Sequence, residues 1–319
     1  MTTPGDDSGQ PERLDTPWKV RPLTSGDVLT DALRLMRSDF WRLCGIVAIL
    51  LVPANLLIAI SIYLFMRHVG RIPTLDPDVA LLGMLYYVLL LLGTVSIWGL
   101  VKPFAQVALV RAITDRYMGH PVRIRRAYGW MAQNVWMVTG TVVLAALIIG
   151  AATTLFLLPG AVAALLLMLT VPVMVTEGRG GFYAIQRSAT LVSRQFGKML
   201  LLVVVAWLLG VTVSSLPQLF TPQPEFQPNA GNADELFMFY NATALSTAIA
   251  TALAGLTQSV IATLRGAVYL LAYFDARCRS EGFDVEFEAR RSGVWGLLMT
   301  GAPATEPQAA ARPLGGDVG

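Results

Sequence analysis

Charge is what this chain of 319 residues is short of. Only 14% of its residues are Asp, Glu, Lys or Arg, against roughly a quarter in ordinary soluble domains. With mean hydropathy at +0.58 and the charges clustered between long uncharged runs, a soluble fold and a disordered chain are both excluded. Cysteine and histidine are scarcer still. Cys44, Cys278, His68 and His120 stand far apart, so no metal-ligand spacing exists and zinc or iron–sulfur chemistry is not expected. Cys44 opens an apolar run and Cys278 lies in a basic segment, which argues against a disulfide. Gly-x-Ser-x-Gly, P-loop, His-Glu-x-x-His and dinucleotide-binding glycine motifs are all missing, so the expectation is no enzyme and no cofactor. Residues 1 to 19 also lack the basic start and apolar stretch of a cleaved signal peptide.

What is present is hydrocarbon-length sequence. A helix needs about 20 uncharged residues to cross a bilayer core, and the gaps in the charge map supply six: 43–66, 79–101, 135–158, 161–176, 199–219 and 241–264. The third and fourth come from one 50-residue gap, divided at Leu158-Pro159-Gly160, where proline and glycine favour a turn. The sequence therefore predicts an all-α, polytopic integral membrane bundle of six transmembrane helices over residues 21–291, with tails at 1–20 and 292–319.

Lys and Arg remain on the cytoplasmic side of a membrane. An even number of spans places both termini, and the loops after spans two and four, on one side. Those segments hold every basic residue except Arg67 and Arg71, so both termini are expected in the cytoplasm of a cell-membrane protein. The pI near 9.0 then needs no nucleic acid, because Arg123, Arg125 and Arg126 form a juxtamembrane cluster facing anionic lipid. Twenty-one arginines to three lysines suggest a prokaryotic source.

Amphipathic stretches precede the outward-going spans. Thr24 or Ser25 caps the first, with Asp27 in its first turn and Val28, Ala32, Leu35, Met36 and Phe40 on one face. A second runs from Ala184 to Lys198 at a constant offset of 156, and Arg125 to Trp136 is a looser third. These read as cytoplasmic interfacial helices, suggesting three units of a helix plus a two-span hairpin.

Three segments stand out: the opening Arg21-Pro-Leu-Thr-Ser-Gly-Asp-Val-Leu, the central Glu177-Gly with Ala184-Ile-Gln-Arg-Ser188, and the closing Tyr273-Phe-Asp-Ala-Arg277-Cys-Arg279-Ser-Glu281-Gly-Phe-Asp284. Together they resemble the membrane domain family associated with glycerophosphoryl diester phosphodiesterases, whose stand-alone relatives lack the catalytic barrel. The resemblance implies six spans and a cytoplasmic closing signature. It implies no catalysis, since the phosphodiesterase barrel and its histidine pair have no counterpart here.

Candidate structural or docking residues are Glu177, Arg265, Asp275, Arg277, Arg279 and Glu281. Arg265 is the exception among nearly charge-free spans; it is expected either to pair with Glu177 or Asp115, or to snorkel to the cytoplasmic interface. Asp275, Arg277, Arg279 and Glu281 form an alternating helix end, stopped by Gly282 and suited to docking another part of the chain or a protein partner. Ala244, Ala248, Ala252, Gly255 and Ser259 make a small face for helix packing. Trp41, Trp98, Trp130, Trp136 and Tyr128 fit interface belts.

The leading functional expectation is a non-enzymatic scaffold or accessory subunit working at the cytoplasmic face with membrane lipids and a protein partner; the alternative is a transporter or lipid translocator. A polar cavity near mid-membrane would favour the second. Leu75→Cys and Ala230→Cys, placed singly, should label with impermeant reagents from outside intact cells while His120→Cys should not, and reversed labelling would overturn the orientation.

Overall fold

The computed structural model describes residues 22–72, 75–118, 120–221 and 233–283, with side chains from 237 onward in the last segment. Segments 1–20 and 292–319, expected as tails, and Ala230 lie outside the described residues. All regular structure among the described residues is helical. The helices are α1 (Ser25–Ser38), α2 (Phe40–Val69), α3 (Pro77–Tyr117), α4 (Ile124–Gln133), α5 (Val135–Leu155), α6 (Leu157–Leu166), α7 (Thr170–Glu177), α8 (Phe182–Arg194), α9 (Phe196–Leu219) and α10 (Ala233–Glu281). Among the described residues six segments are long and apolar enough to cross a membrane: α2, α3, α5, α6 with α7, α9 and α10. The chain is an all-α polytopic bundle.

The three short amphipathic helices enter their spans through one repeated device. A single residue leaves helical geometry at Asp39 (φ −133°, ψ 36°), Asn134 (φ −110°, ψ 21°) and Gln195 (φ −131°, ψ 36°). Counting from each junction, the seventh residue before it is Ala32, Ala127 or Ser188, and all three are fully buried. The fourth after it is Leu43, Val138 or Met199, and the seventh is Ile46, Thr141 or Leu202, again buried in every case. Residues three apart share a helix face, and the same positions are buried at each junction, so the three units turn the same face inward. Trp41 and Trp136, each two residues past a junction, are more than four-fifths exposed, as interfacial anchors should be.

Thr24 opens α1 with a reciprocal cap: its hydroxyl accepts from the Asp27 N–H while the Asp27 carboxylate accepts from the Thr24 N–H. At the far end of the fold, α10 runs unbroken through the centre. It packs along α2 for most of its length and also meets α9, α1, α3, α7 and α8. The small face predicted for this helix makes the crossing: a Cβ at Gly255 would come within 3.2 Å of Val52 Cα and 3.1 Å of Asn55 Cβ. Gly282, with φ 65°, ends α10 as expected.

Span boundaries differ from the sequence reading in three places. The α5–α6 turn falls at Phe156 (φ −162°, ψ 154°), and Pro159-Gly160 sits inside the first turn of α6. There the missing proline N–H is one that no intrahelical carbonyl would have received, and a Cβ at Gly160 would come within 2.9 Å of Thr153 Cα. The helix of the second span does not stop before Lys102 but continues as α3 to Tyr117. The fourth is interrupted between Leu166 and Thr170.

That interruption is repaired from outside. The Ser188 hydroxyl of α8, fully buried, donates to the Leu166 carbonyl (2.7 Å) and accepts from the Leu169 N–H (3.2 Å), so one side chain serves two backbone groups orphaned by the break. Ser188→Ala should lower the unfolding free energy by about 1–3 kcal/mol, the cost of buried groups left unsatisfied. Thr212→Ala, which removes an exposed intrahelical hydroxyl, should be nearly silent. Thermal melts in one detergent would compare them, and equal melting of both variants would contradict the assignment.

Candidate functional site

The residues singled out in the sequence separate into a saturated polar cluster at one end of the bundle and an unsaturated one at its middle. Asp275 centres the first. Its side chain is fully buried and accepts from the Leu23 N–H (2.7 Å), Lys198 Nζ (2.6 Å) and Arg279 Nε (3.0 Å). The same two cations donate to the Leu23 carbonyl, at 2.6 Å from Lys198 and 2.8 Å from Arg279. The segment leading into α1, the start of α9 and the end of α10 therefore share one node. Lys198 holds the position in its unit that Arg42 holds in the first, the parallel read from the sequence offset.

Glu177 ends α7 beside Gly178 (φ 67°), where the chain reverses through Gly181 (φ 65°) into α8. Its carboxylate accepts from Tyr273 Oη (2.9 Å), Tyr183 Oη (2.8 Å) and Arg187 Nε (3.3 Å). The bond to Glu177 holds the Tyr183 hydroxyl above its ordinary pKa. Arg187 also bonds to Glu281, whose other oxygen accepts from Arg277 Nε (3.0 Å). Arg277 then lies over the Phe283 ring, 4.1 Å from its centroid. Burial opposes the Arg187 charge, but the Glu281 and Glu177 partners outweigh it and raise its pKa. Asp275, Arg277, Arg279 and Glu281 thus make their contacts within the chain.

Arg265 meets neither expected carboxylate. Glu177 is engaged as above, and Asp115 pairs with Arg111 at 3.1 Å on the same helix. The reason is depth: Arg265 lies ten residues before Asp275 on α10, roughly 15 Å at 1.5 Å per residue. Nor does it snorkel. Its guanidinium lies against Gly210 and shares a cavity with Ser214, Gln258 and Ile261, all farther from the charged end. Side chains on a helix lean towards its N-terminus, and here that direction leads inward.

This cavity, of about 180 Å³, is also lined by Leu51, Trp98, Lys102, Gln106, Val211 and Ala262. Leu51 lies nine residues past Arg42, and Gly210 twelve past Lys198, roughly 14 and 18 Å along their helices. Those depths are near the middle of a hydrocarbon core of about 30 Å. Lys102 and Arg265 repel one another across the cavity, and among the described residues neither has a carboxylate within ion-pair distance. Lys102 lies over the Trp98 ring at 4.8 Å. Trp98 Nε1 and Gln258 Oε1 are buried without a hydrogen-bond partner. Two cations without a carboxylate partner among the described residues, with the Trp98 N–H an unspent donor beside them, make an anion site in chemical terms.

Lys102 is not among the residues singled out in the sequence, because it stands just past the predicted end of the second span. The signal was present: after Lys102 the run Pro103 to Val110 is uncharged, so the lysine interrupts one long apolar stretch. Of the aromatics expected in interface belts, Trp98 lies by Lys102 and Trp130 by Arg111, and the Tyr128 hydroxyl donates to the Ile46 carbonyl.

Comparison with protein-family models, with curated proteins and with solved structures finds no match.

A double-mutant cycle separates the two clusters. Glu177→Gln and Arg265→Met should give additive losses in thermal stability, because the residues do not touch. Glu177→Gln with Arg187→Met should be non-additive by about 0.5–3 kcal/mol, as groups in one network are. Coupling in the first cycle and none in the second would refute the geometry.

Proposed function

We propose that the chain is an integral membrane transporter or lipid translocator that engages an anionic group near the middle of the bilayer through Lys102 and Arg265. One observation carries this reading: two cations with no carboxylate within ion-pair distance among the described residues line a cavity at mid-depth. Ionisable groups at that depth are costly and mark a functional path more often than a structural contact. The scaffold reading needs spans that lack polar groups to handle a substrate and cytoplasmic-face motifs available to a partner. The cavity weakens the first support, and the bonds of Asp275 and Glu281 inside the chain weaken the second.

The end bearing α1, α4, α8 and the close of α10 is assigned to the cytoplasm of a prokaryotic cell membrane, on the strength of its Lys and Arg bias. Kinship with the glycerophosphoryl diester phosphodiesterase membrane domain is part of the proposal. It is supported by the way the three motifs behind the resemblance converge: Leu23 of the opening motif meets Asp275 and Arg279 of the closing one, and Arg187 of the central motif meets Glu281. Nothing in the reading calls for a cofactor or an enzymatic step.

Proteoliposomes test it with two anionic probes, fluorescently tagged phosphatidylglycerol for movement between leaflets and radiolabelled inorganic phosphate for uptake. Protein-dependent movement of at least one probe is expected, reduced by about tenfold in Arg265→Gln, which removes one charge-assisted contact. Movement of neither probe, or movement indifferent to Arg265, would overturn the reading.

A further inference from the structure

We infer that the ligand of the Lys102–Arg265 site is an anionic phospholipid, its phosphate in the cation-lined cavity and an acyl chain in the adjoining groove between α3, α5 and α6–α7. The inference rests on the proposed function and adds the chemical class of what is moved.

The groove has a volume of about 730 Å³ and an almost wholly apolar wall, in which Gly99, Leu100, Pro103, Ala146 and Leu147 take part. That volume lies within the roughly 300–1,000 Å³ of small-molecule sites. The two spaces occupy neighbouring faces of α3. Trp98, Lys102 and Gln106 face the cations, Gly99, Pro103 and Gln106 face the groove, and Gln106 lines both. One side chain thus stands at the boundary between a positive compartment and a hydrocarbon one. Neither compartment is lined by a carboxylate, so nothing opposes a negative headgroup.

Pro103 adds a polar group at the same boundary. Lacking an N–H, it leaves the Gly99 carbonyl without the hydrogen bond it would otherwise receive four residues on, and Gly99 is in the groove wall. A glycerol hydroxyl can donate to that carbonyl, while Trp98 Nε1 donates to a phosphate oxygen. A phosphodiester answers two cations with charge and several acceptor oxygens. A zwitterionic headgroup brings a third cation beside Lys102 and Arg265 and is disfavoured.

The test uses the purified full-length chain in a neutral maltoside detergent, with thermal shift and native mass spectrometry as readouts. The probes are phosphatidylglycerol, phosphatidylcholine of the same acyl composition, and inorganic phosphate. Phosphatidylglycerol should bind about tenfold or more tightly than phosphatidylcholine, and Lys102→Gln or Arg265→Gln should each weaken it about tenfold. Gly99→Leu fills the groove from a position where a side chain meets open space; it should weaken the lipid and leave the phosphate response unchanged. If a glutamine variant does not fold, Gly210→Ala serves instead, because its methyl displaces the Arg265 guanidinium without removing a charge.

Inorganic phosphate stabilising the protein as well as the lipid does, with Gly99→Leu silent, would overturn the lipid inference and leave the anion-transport reading standing. Equal binding of the two lipids, indifferent to Lys102 and Arg265, would mean general lipid solvation and overturn the inference. No response to any anionic probe would remove both.

Discussion

The Asp275 carboxylate is the contact on which the rest of the arrangement depends. It is buried without residual exposure, and it receives a backbone N–H from ahead of α1, an ammonium from α9 and a guanidinium from its own helix. Removing one partner of a buried charge set typically costs about 3–5 kcal/mol, although an apolar replacement of the whole set can be neutral. The node is therefore better understood as setting register than as adding net stability. It fixes where α1 lies on the α9–α10 hairpin, and so brings the first helix-plus-hairpin unit onto the third. The middle unit is held both by a charge, Glu177 with Arg187 and Tyr273, and by neutral bonds: Ser188 bridges the α6–α7 break, and the Thr141 hydroxyl accepts from the Gly181 N–H at 2.6 Å.

A saturated end and an unsaturated middle divide the labour. At the charged end Glu177, Asp275 and Glu281 are each ringed by donors, which suits a rigid platform. Some 15 Å deeper, by helix rise, Lys102 and Arg265 share a cavity with no acid in its wall. Low-dielectric surroundings strengthen both the repulsion between these cations and the reward for an anion placed between them. Rigidity around the site and lack of compensation within it are together what a binding step requires.

Much of this was legible in the sequence, for identifiable reasons. Span existence follows from gaps in the charge map, the amphipathic helices follow from apolar residues three and four apart, and their repetition is visible as the offset of 156 between Leu35 and Leu191 or Arg42 and Lys198. Gly282 as the stop of α10 is a local property. Ion-pair partners are not local: whether Arg265 meets Glu177 depends on how α7 and α10 are staggered, which no periodicity encodes. The α6–α7 break was equally hidden, because its repair comes from Ser188, on another helix. Lys102 was misplaced because a charge was read as a boundary, whereas a long helix carries a lysine inward when its neighbours leave room.

Hydrogen exchange measured peptide by peptide on the detergent-solubilised protein, wild type against Asp275→Asn, tests the central claim most directly. If Asp275 holds the first unit to the third, exchange should rise in the variant across residues 22–38 and 196–200, and residues 135–155 of the middle unit should stay as protected as in the wild type. Unchanged protection at 22–38, or a uniform rise over all the spans, would contradict it.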